Sequence, residues 1–383
     1  MPAFDFLIVG SGIAGAGAAY ELAEGARVLL LEREDAHGYH TTGRSAALYS
    51  EVYGNPLIRG LTRASRAFFE APPEGFAATP LLNPRPCLYV GRLDQADALA
   101  ALLAAEPAAL TPISREEVLA LVPVLRPGYV GAGALETGAM DADVEAIHQG
   151  FLRGAKARGA DIRLTSEVVA IAPIADGAAD GAAGGWSVRT ASGEVFEAAV
   201  VVNAAGAWAD QIAGLAGAAL IGLTPMRRTA VIVDAPPGVD VRAWPMVIDV
   251  DEEFYFKPDA GRLLASPADE TPTEPHDAWA EEMDIAICIE RVQTAADIPV
   301  QRIARSWAGL RSFVADRSPV IGFDAQAPGF FWLAGQGGYG VQTAPAAARA
   351  AAALARRQVL PADIAAQGVT AQALSPARLR TGG

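Results

Sequence analysis

The sequence predicts a mixed α/β protein, with one domain on a parallel sheet wound by helices and a second on an antiparallel sheet. Three observations carry this. Strand, Gly-rich turn and Ala-rich helix recur in αβ units at 1–35, 143–215 and 318–358. The two intervals between these units are rich in strand patterns and poor in helices. A chain of 383 residues also exceeds one simple core. Segments 1–78, 142–212 and 318–383 are therefore expected to form the first domain, and 79–141 with 213–317 the second.

Each element has its own signal. FDFLIV (4–9) is a short apolar run of strand formers, followed by Gly10-Ser11-Gly12-Ile13-Ala14-Gly15. AGAGAAYELAEG reads as a helix ending at Gly25, and ARVLLLERE as a buried strand ending in Glu32. This is a Rossmann-like unit, with its acid about 20 residues after the first glycine. Gly10 permits the tight turn, Gly12 lets the backbone approach a pyrophosphate, and Gly15 seats the helix on the strand. Ile13 and Ala14 open the helix whose positive end faces the phosphates. Glu32 is placed to accept from ribose hydroxyls, with Arg33 beside it, and an acid there disfavours a 2′-phosphate.

Further along, LTRASRAFFE (61–70) has helical spacing, and the Pro-rich stretch 71–86 reads as loop before the strand CLYVGR. DQADALAALLAAE is a helix, SREEVLALVP opens with a Ser114–Glu117 capping box, and 143–159 is another helix. Two short strands and a hairpin turning near Ser192-Gly193 follow. GAADGAAGG (177–185) is low-complexity and reads as a hairpin tip. VNAAGAWAD (202–210) is again strand, Gly turn, helix. The interval to SPVIG is mostly strand, and FFWLAGQGGYGVQTAP closes with a strand, a Gly-rich turn and a helix.

Composition excludes several roles. The net charge of −14 argues against a nucleic-acid partner. Cys87 and Cys288 lie far apart and suit no disulfide framework, which fits a reducing, cytoplasmic setting. His37, His40, His148 and His276 make no metal-ligand spacing, so no metal is expected. No apolar run is long enough to span a membrane. The N-terminus enters a strand at once and does not read as a signal peptide. Lys156 and Lys257 are the only lysines, so the positive charge is almost all Arg.

The first Gly-rich turn alone does not distinguish NAD from FAD. A second small-residue segment, TTGRSAA, follows the acid by about ten residues, and the turns at 202–210 and 333–345 add two more approaches. A long cofactor lying through the protein suits this pattern. The late helix start can stabilise negative charge on a reduced flavin ring.

Taken in order, GYHTTGRSAA, PLLNPRP, VNAAGAWAD, FYFKPDAG, WAGLRSFVAD, GQGGYGVQT and the LSPARLR tail resemble the FAD-dependent D-amino acid oxidase and dehydrogenase family. Within it they are most similar to the bacterial D-arginine dehydrogenases. The resemblance implies a Rossmann-like FAD-binding domain with an antiparallel-sheet substrate domain. It implies FAD contacts from Gly43, Arg44, Ser45 and Ala46, from Val168, Ala204, Gly206 and Trp208, and from Gly335, Gly337, Gly338, Tyr339, Gly340, Gln342 and Thr343. Some relatives tether FAD to a late Cys. None follows Cys288 here, so noncovalent FAD is expected.

The resemblance also implies oxidative deamination: a hydride passes from the substrate Cα to flavin N5, and the imino acid hydrolyses to a 2-oxo acid and ammonia. An amino-acid carboxylate beside an apolar flavin face calls for a buried Arg fork. Arg311 is the first candidate and Arg228 the second, with Arg227 an alternative set aside only on the family pattern. Tyr53 and Tyr255 match the tyrosines that bond the carboxylate, and the Gly338 carbonyl matches an acceptor for the amine. Met246 and Ile248 match the side-chain pocket, although ordinary core packing explains them nearly as well.

The pattern departs from the D-arginine dehydrogenases at Leu48 and Cys87, where a polar partner for a basic side chain is expected. An unpaired buried guanidinium is costly, so an apolar or aromatic side chain is expected instead. Glu51, three residues after Leu48, would share a face with it if the segment were helical, and is read as a solvated residue. A basic D-amino acid or a sarcosine- or glycine-type amine are the alternatives. The paired Arg and Tyr argue against a non-enzymatic flavin-binding subunit. The electron acceptor, whether quinone, oxygen or another, is not encoded in any motif.

Overall fold

The computed structural model describes residues 3–174 and 184–380. The low-complexity run at 177–185 falls largely outside them.

The first strand, Phe4–Val9, is flanked by parallel neighbours Val28–Leu31 and Val195–Asn203. Buried on both faces, these strands read as continuous apolar runs. Phe330–Ala334 joins the far half of Val195–Asn203 in parallel, and Val320–Phe323 adds antiparallel to it. Asp161–Arg163 extends the other edge, and Val168–Pro173 with Trp186–Thr190 completes eight strands. The helices Val144–Ala157 and Gly340–Ala355 each pack against Ile13–Leu22 over one face. Small residues set their distance: a Cβ on Gly17 would lie 3.0 Å from the Ala348 Cβ.

The second sheet has nine strands. It is antiparallel except where Met246–Asp249 runs parallel to Cys87–Gly91. Its backbone is the long pairing of Thr224–Val233 with Ile303–Phe313. A small third sheet joins Leu48–Tyr49, Met140–Ala142 and Leu82–Pro84.

Two local readings need correction. Leu48 and Tyr49 are strand, and a turn follows, so Glu51 does not share a helical face with Leu48. The mostly-strand interval also holds the helix Glu282–Ala295. Its buried stripe is Asp284, Cys288, Val292 and Ala295. The spacing is helical, but the stripe opens on an aspartate, which hides it from apolar periodicity. The helix anticipated over 61–70 starts earlier, at Pro56, because Asn55 accepts from the Ile58 amide and Pro56 is preset for the first turn.

The tightest constraint is at the first turn. A Cβ on Gly15 would sit 1.9 Å from the Gly10 carbonyl oxygen. Gly15→Ala is expected to lower stability by roughly 1–3 kcal/mol through overpacking, read from the urea midpoint. Gly138→Ala, where a Cβ meets nothing within 4 Å, serves as the control and should leave the midpoint near wild type.

Candidate active site

A long cleft of about 480 Å³ runs between the first sheet and the second. The first Gly-rich turn supplies Gly10, Gly12, Ile13 and Ala14 to its wall, and the next strand end supplies Glu32 and Arg33. Arg44, Ser45 and Ala46 line it, as do Val168, Ala204, Gly206 and Trp208, and from the last turn Gly335, Gly337, Gly338 and Gly340.

Five of the expected cofactor contacts do not line it, for local reasons. Gly15 packs on Gly10, and Gly43 on the Gly38 carbonyl. Thr343 Oγ1 donates to the Tyr339 carbonyl, the Tyr339 ring packs on Tyr53 at 4.7 Å, and Gln342 faces a smaller cavity. Arg44 lines the cleft, but its guanidinium is bound to Asp277 and to the Ala278 and Ala308 carbonyls.

Glu32 is held ready. One carboxylate oxygen accepts from Ser11 N and Ser11 Oγ, both at 2.8 Å, and the other from Glu34 N at 3.1 Å. Since Ser11 Oγ donates to Glu32, the His37 Nδ1 at 2.9 Å donates to Ser11 Oγ. His148 Nε2 donates to the Ser11 carbonyl at 2.7 Å. Burial pushes both imidazoles below the ordinary histidine pKa, so they are neutral near pH 7.

Two features show what the cleft fits. The helices that point into it, Ile13–Leu22 and Gly340–Ala355, have no side-chain cap and no acid in the first turn. Every other α-helix among the described residues has either a side-chain cap, from Asn55, Ser114, Asp143 or Thr370, or an acid in its first turn, such as Asp97, Asp210, Glu282 or Asp363. Both uncapped ends therefore keep their positive polarity for an anionic group. Thr42, which sequence reasoning missed, fixes the first of them: its Oγ1 accepts from Ile13 N at 2.9 Å. Three buried polar atoms on the cleft wall also have no hydrogen-bond partner: His40 Nδ1, Ser312 Oγ and Gln336 Nε2. Buried polar atoms are paired as a rule. An elongated, polar, phosphate-bearing cofactor fits all of this.

At the far end the cleft meets a second cavity of about 70 Å³, and Arg311, Arg228, Tyr255 and Gly338 line both. Strand register explains the convergence. Arg228 lies opposite Gly309, and Arg311 is two residues beyond Gly309. The two guanidinium groups are thus diagonal neighbours on one sheet face. Arg227, one residue away, points to the other face, where it pairs with Glu281 and Asp284. That alternation puts Arg228, and not Arg227, on the wall of the two cavities. Arg228 is anchored to the Asp269 carbonyl at 2.7 Å and to Glu270 at 3.2 Å.

Arg311 Nη1 donates to the Tyr53 hydroxyl at 3.1 Å. Burial opposes its charge, but the phenol oxygens of Tyr53, Tyr255 and Tyr339 raise its pKa above the ordinary guanidinium value, so it stays cationic. A Cβ on Gly338 would lie 2.9 Å from Arg311 Nη1. Only glycine lets the backbone lie this close to the fork.

Leu48, Met246, Ile248, Tyr89, Ala268 and Glu252 line the smaller cavity. Met246 and Ile248 are two residues apart on one strand and share its face. Cys87 does not reach the cavity: it is wholly buried opposite Glu136. Glu51 turns away to accept from the Tyr49 hydroxyl at 2.7 Å and to pair with Arg66. The carboxylate at the pocket is instead Glu252, on an exposed turn with φ 58°. Sequence reasoning passed over it because DVDEEF reads as an ordinary acidic turn.

A long cleft that ends at two arginines on one sheet face suits a nucleotide-cofactor enzyme fold. A family model described as DAO, FAD dependent oxidoreductase, matches residues 5–354. The chain belongs to this family of FAD-dependent oxidoreductases, and its cofactor is FAD.

Among characterised sequences, the chain is 29% identical over 172 residues to the FAD-dependent oxidoreductase domain-containing protein 1 of Bos taurus, covering 41% of this chain and 35% of that protein. It is 25% identical over 179 residues to the hydrogen cyanide synthase subunit HcnC of Pseudomonas aeruginosa, covering 46% and 42%. The matched region thus spans less than half the length of these relatives. Among solved structures, glycine oxidase from Geobacillus kaustophilus superposes with a TM-score of 0.78 at 22% identity, over 94% of this chain and 96% of that one. L-α-glycerophosphate oxidase from Mycoplasma pneumoniae gives 0.81 at 22%, over 93% and 95%. These likenesses establish the fold.

Thr42→Val removes the acceptor for Ile13 N. It is expected to weaken FAD binding about fivefold to tenfold, the scale of one buried hydrogen bond, measured by flavin fluorescence quenching on the apoprotein. Unchanged affinity would show that Thr42 does not set the helix end.

Proposed function

We propose that the chain catalyses oxidative deamination of D-amino acids with apolar side chains, using noncovalent FAD. The observation that carries this is the junction of the two cavities at Arg311, Arg228, Tyr53 and Tyr255. Bound FAD would supply the two-electron oxidant that accepts the Cα hydride.

The chain's own groups do the positioning. Arg311 and Arg228 take the substrate carboxylate, and Tyr53 and Tyr255 donate hydroxyl hydrogen bonds to it. The Gly338 carbonyl accepts from the amine and turns its lone pair toward Cα. The side chain then enters the cavity walled by Leu48, Met246 and Ile248. Neither cysteine lines the cofactor cleft, which supports noncovalent FAD. The D preference rests on the motif resemblance.

The small cavity narrows the substrate. A space of about 70 Å³ is about half of a ~150 Å³ site that holds benzene. Small aliphatic side chains suit it better than indole or phenyl. The same size supports a second reading, a glycine- or sarcosine-type amine. Glu252 at the pocket supports a third, a basic side chain.

Steady-state kinetics on D-Ala, D-Val, D-Phe, D-Arg, sarcosine and the L-enantiomers tests all three. The expected order of kcat/KM places D-Ala and D-Val first. A maximum at D-Arg overturns the apolar reading, and a maximum at sarcosine moves the enzyme to the secondary amines. Arg311→Met should lower kcat/KM about a hundredfold or more, the scale of a lost buried charge pair, with Arg311→Lys between. Retained activity in Arg311→Met would remove Arg311 from the clamp.

A further inference from the structure

Behind the smaller cavity lies a buried carboxylate that the reading above leaves unused. Glu136 ends the strand Ala132–Glu136 and is 2% exposed. One of its oxygens accepts from Ser50 Oγ at 2.7 Å, the other from the Glu51 amide at 2.9 Å, and the Val52 amide also donates to it. Ser50 Oγ in turn accepts from the Tyr53 amide at 3.2 Å and is in hydrogen-bonding contact with the Tyr89 hydroxyl. The Ser50 amide leans on Gln342 Oε1 at 3.4 Å.

The turn that carries Tyr53 to Arg311 therefore hangs on one carboxylate. Glu136 does not line either cavity, so any effect on substrate must pass through this turn. From these contacts we infer that Glu136 is a positioning residue for the carboxylate clamp, holding Ser50–Tyr53 in the binding-competent place when ionised and releasing it when protonated. This rests on the deamination reading, because the clamp is what it positions.

The physical argument is one of donors and acceptors. An ionised carboxylate accepts from Ser50 and from two amides at once. A protonated one gives up part of that capacity and needs an acceptor of its own. Burial raises the Glu136 carboxyl to about 7, so the exchange falls in the neutral range. The charged or titratable groups around it are Glu51, Cys87 and Tyr89, with Lys257 and Asp141 beyond Cys87. Lys257 and Asp141 pair with each other at 2.7 Å, and Glu51 pairs with Arg66. Burial raises Cys87 and Tyr89 well above their ordinary values, so both stay neutral here.

The test uses the FAD-loaded protein and propionate as a small aliphatic carboxylate probe, with binding read from the flavin absorbance between pH 6 and 8.5. In wild type the propionate Kd should tighten about tenfold as pH rises through 7, the scale of one hydrogen bond to a charged acceptor. Glu136→Gln should bind like low-pH wild type at every pH. It should also raise KM with little change in kcat. Ser50→Ala should flatten the profile in the same way, and Glu136→Asp should restore part of it.

Wild type and Glu136→Gln sharing one pH profile would overturn the positioning role while leaving the proposed function standing. Binding that weakens as pH rises, or that is tighter in Glu136→Gln at pH 8.5, would overturn it as well, since repulsion of the probe would then outweigh the turn. Failure of wild type to bind propionate at any pH would overturn the clamp and this role together. Flavin content and thermal midpoints of the variants separate these outcomes from misfolding.

Discussion

A permanent positive charge inside an apolar site is the constraint around which this protein is arranged. The Arg311 guanidinium cannot shed its proton, and leaving it unpaired would cost several kcal/mol. The fold meets this with polar oxygens that carry no full charge, those of Tyr53, Tyr255 and Tyr339. They stabilise the cation without cancelling it, and the fork remains able to take an anion. Arg228 is treated differently. Glu270 and the Asp269 carbonyl fix it directly, so it is the more rigid and less available partner. The strand pairing that puts both on one face, with Gly309 between them, is what makes them a single site.

Much of the cleft wall is legible in the sequence because Gly-rich backbone turns line it. Where an interaction needs only a missing Cβ and a helix start, the glycines announce it. Gly10, Gly12 and Gly15 are where the turn requires them, and the acid at Glu32 ends the next strand. Side-chain work is harder to see. Thr42 holds the helix end from 29 residues away, and nothing in TTGR separates it from Thr41. Gln342 lies in the first turn of the last helix, where it looks like a cofactor contact, yet it lines the smaller cavity. Helix phase decides that, and a Gly-rich start does not reveal it.

The substrate side shows the same limit more sharply. Leu48 is where the sequence suggests it, lining the apolar pocket. The acid closest to it in sequence, Glu51, is not at the pocket, while Glu252, some two hundred residues on, is. A turn after a two-residue strand changes which way a side chain points, and residue spacing cannot report that. Cys87 illustrates burial beyond the first layer: it shares a strand face with Tyr89, but only Tyr89 reaches the cavity.

The two bare helix ends have a consequence for how the protein can change. Each is a place where a single Asp or Ser would satisfy exposed amides and neutralise the dipole, a gain of about 0.5–2 kcal/mol elsewhere in any protein. At Gly12 the same gain would put an oxygen on the wall of the cleft, and at Tyr339 it would remove the ring that packs on Tyr53. Selection for stability alone would close the cleft one cap at a time. That these two ends carry neither a side-chain cap nor a first-turn acid, while every other α-helix among the described residues carries one or the other, marks stability forgone in exchange for a cofactor.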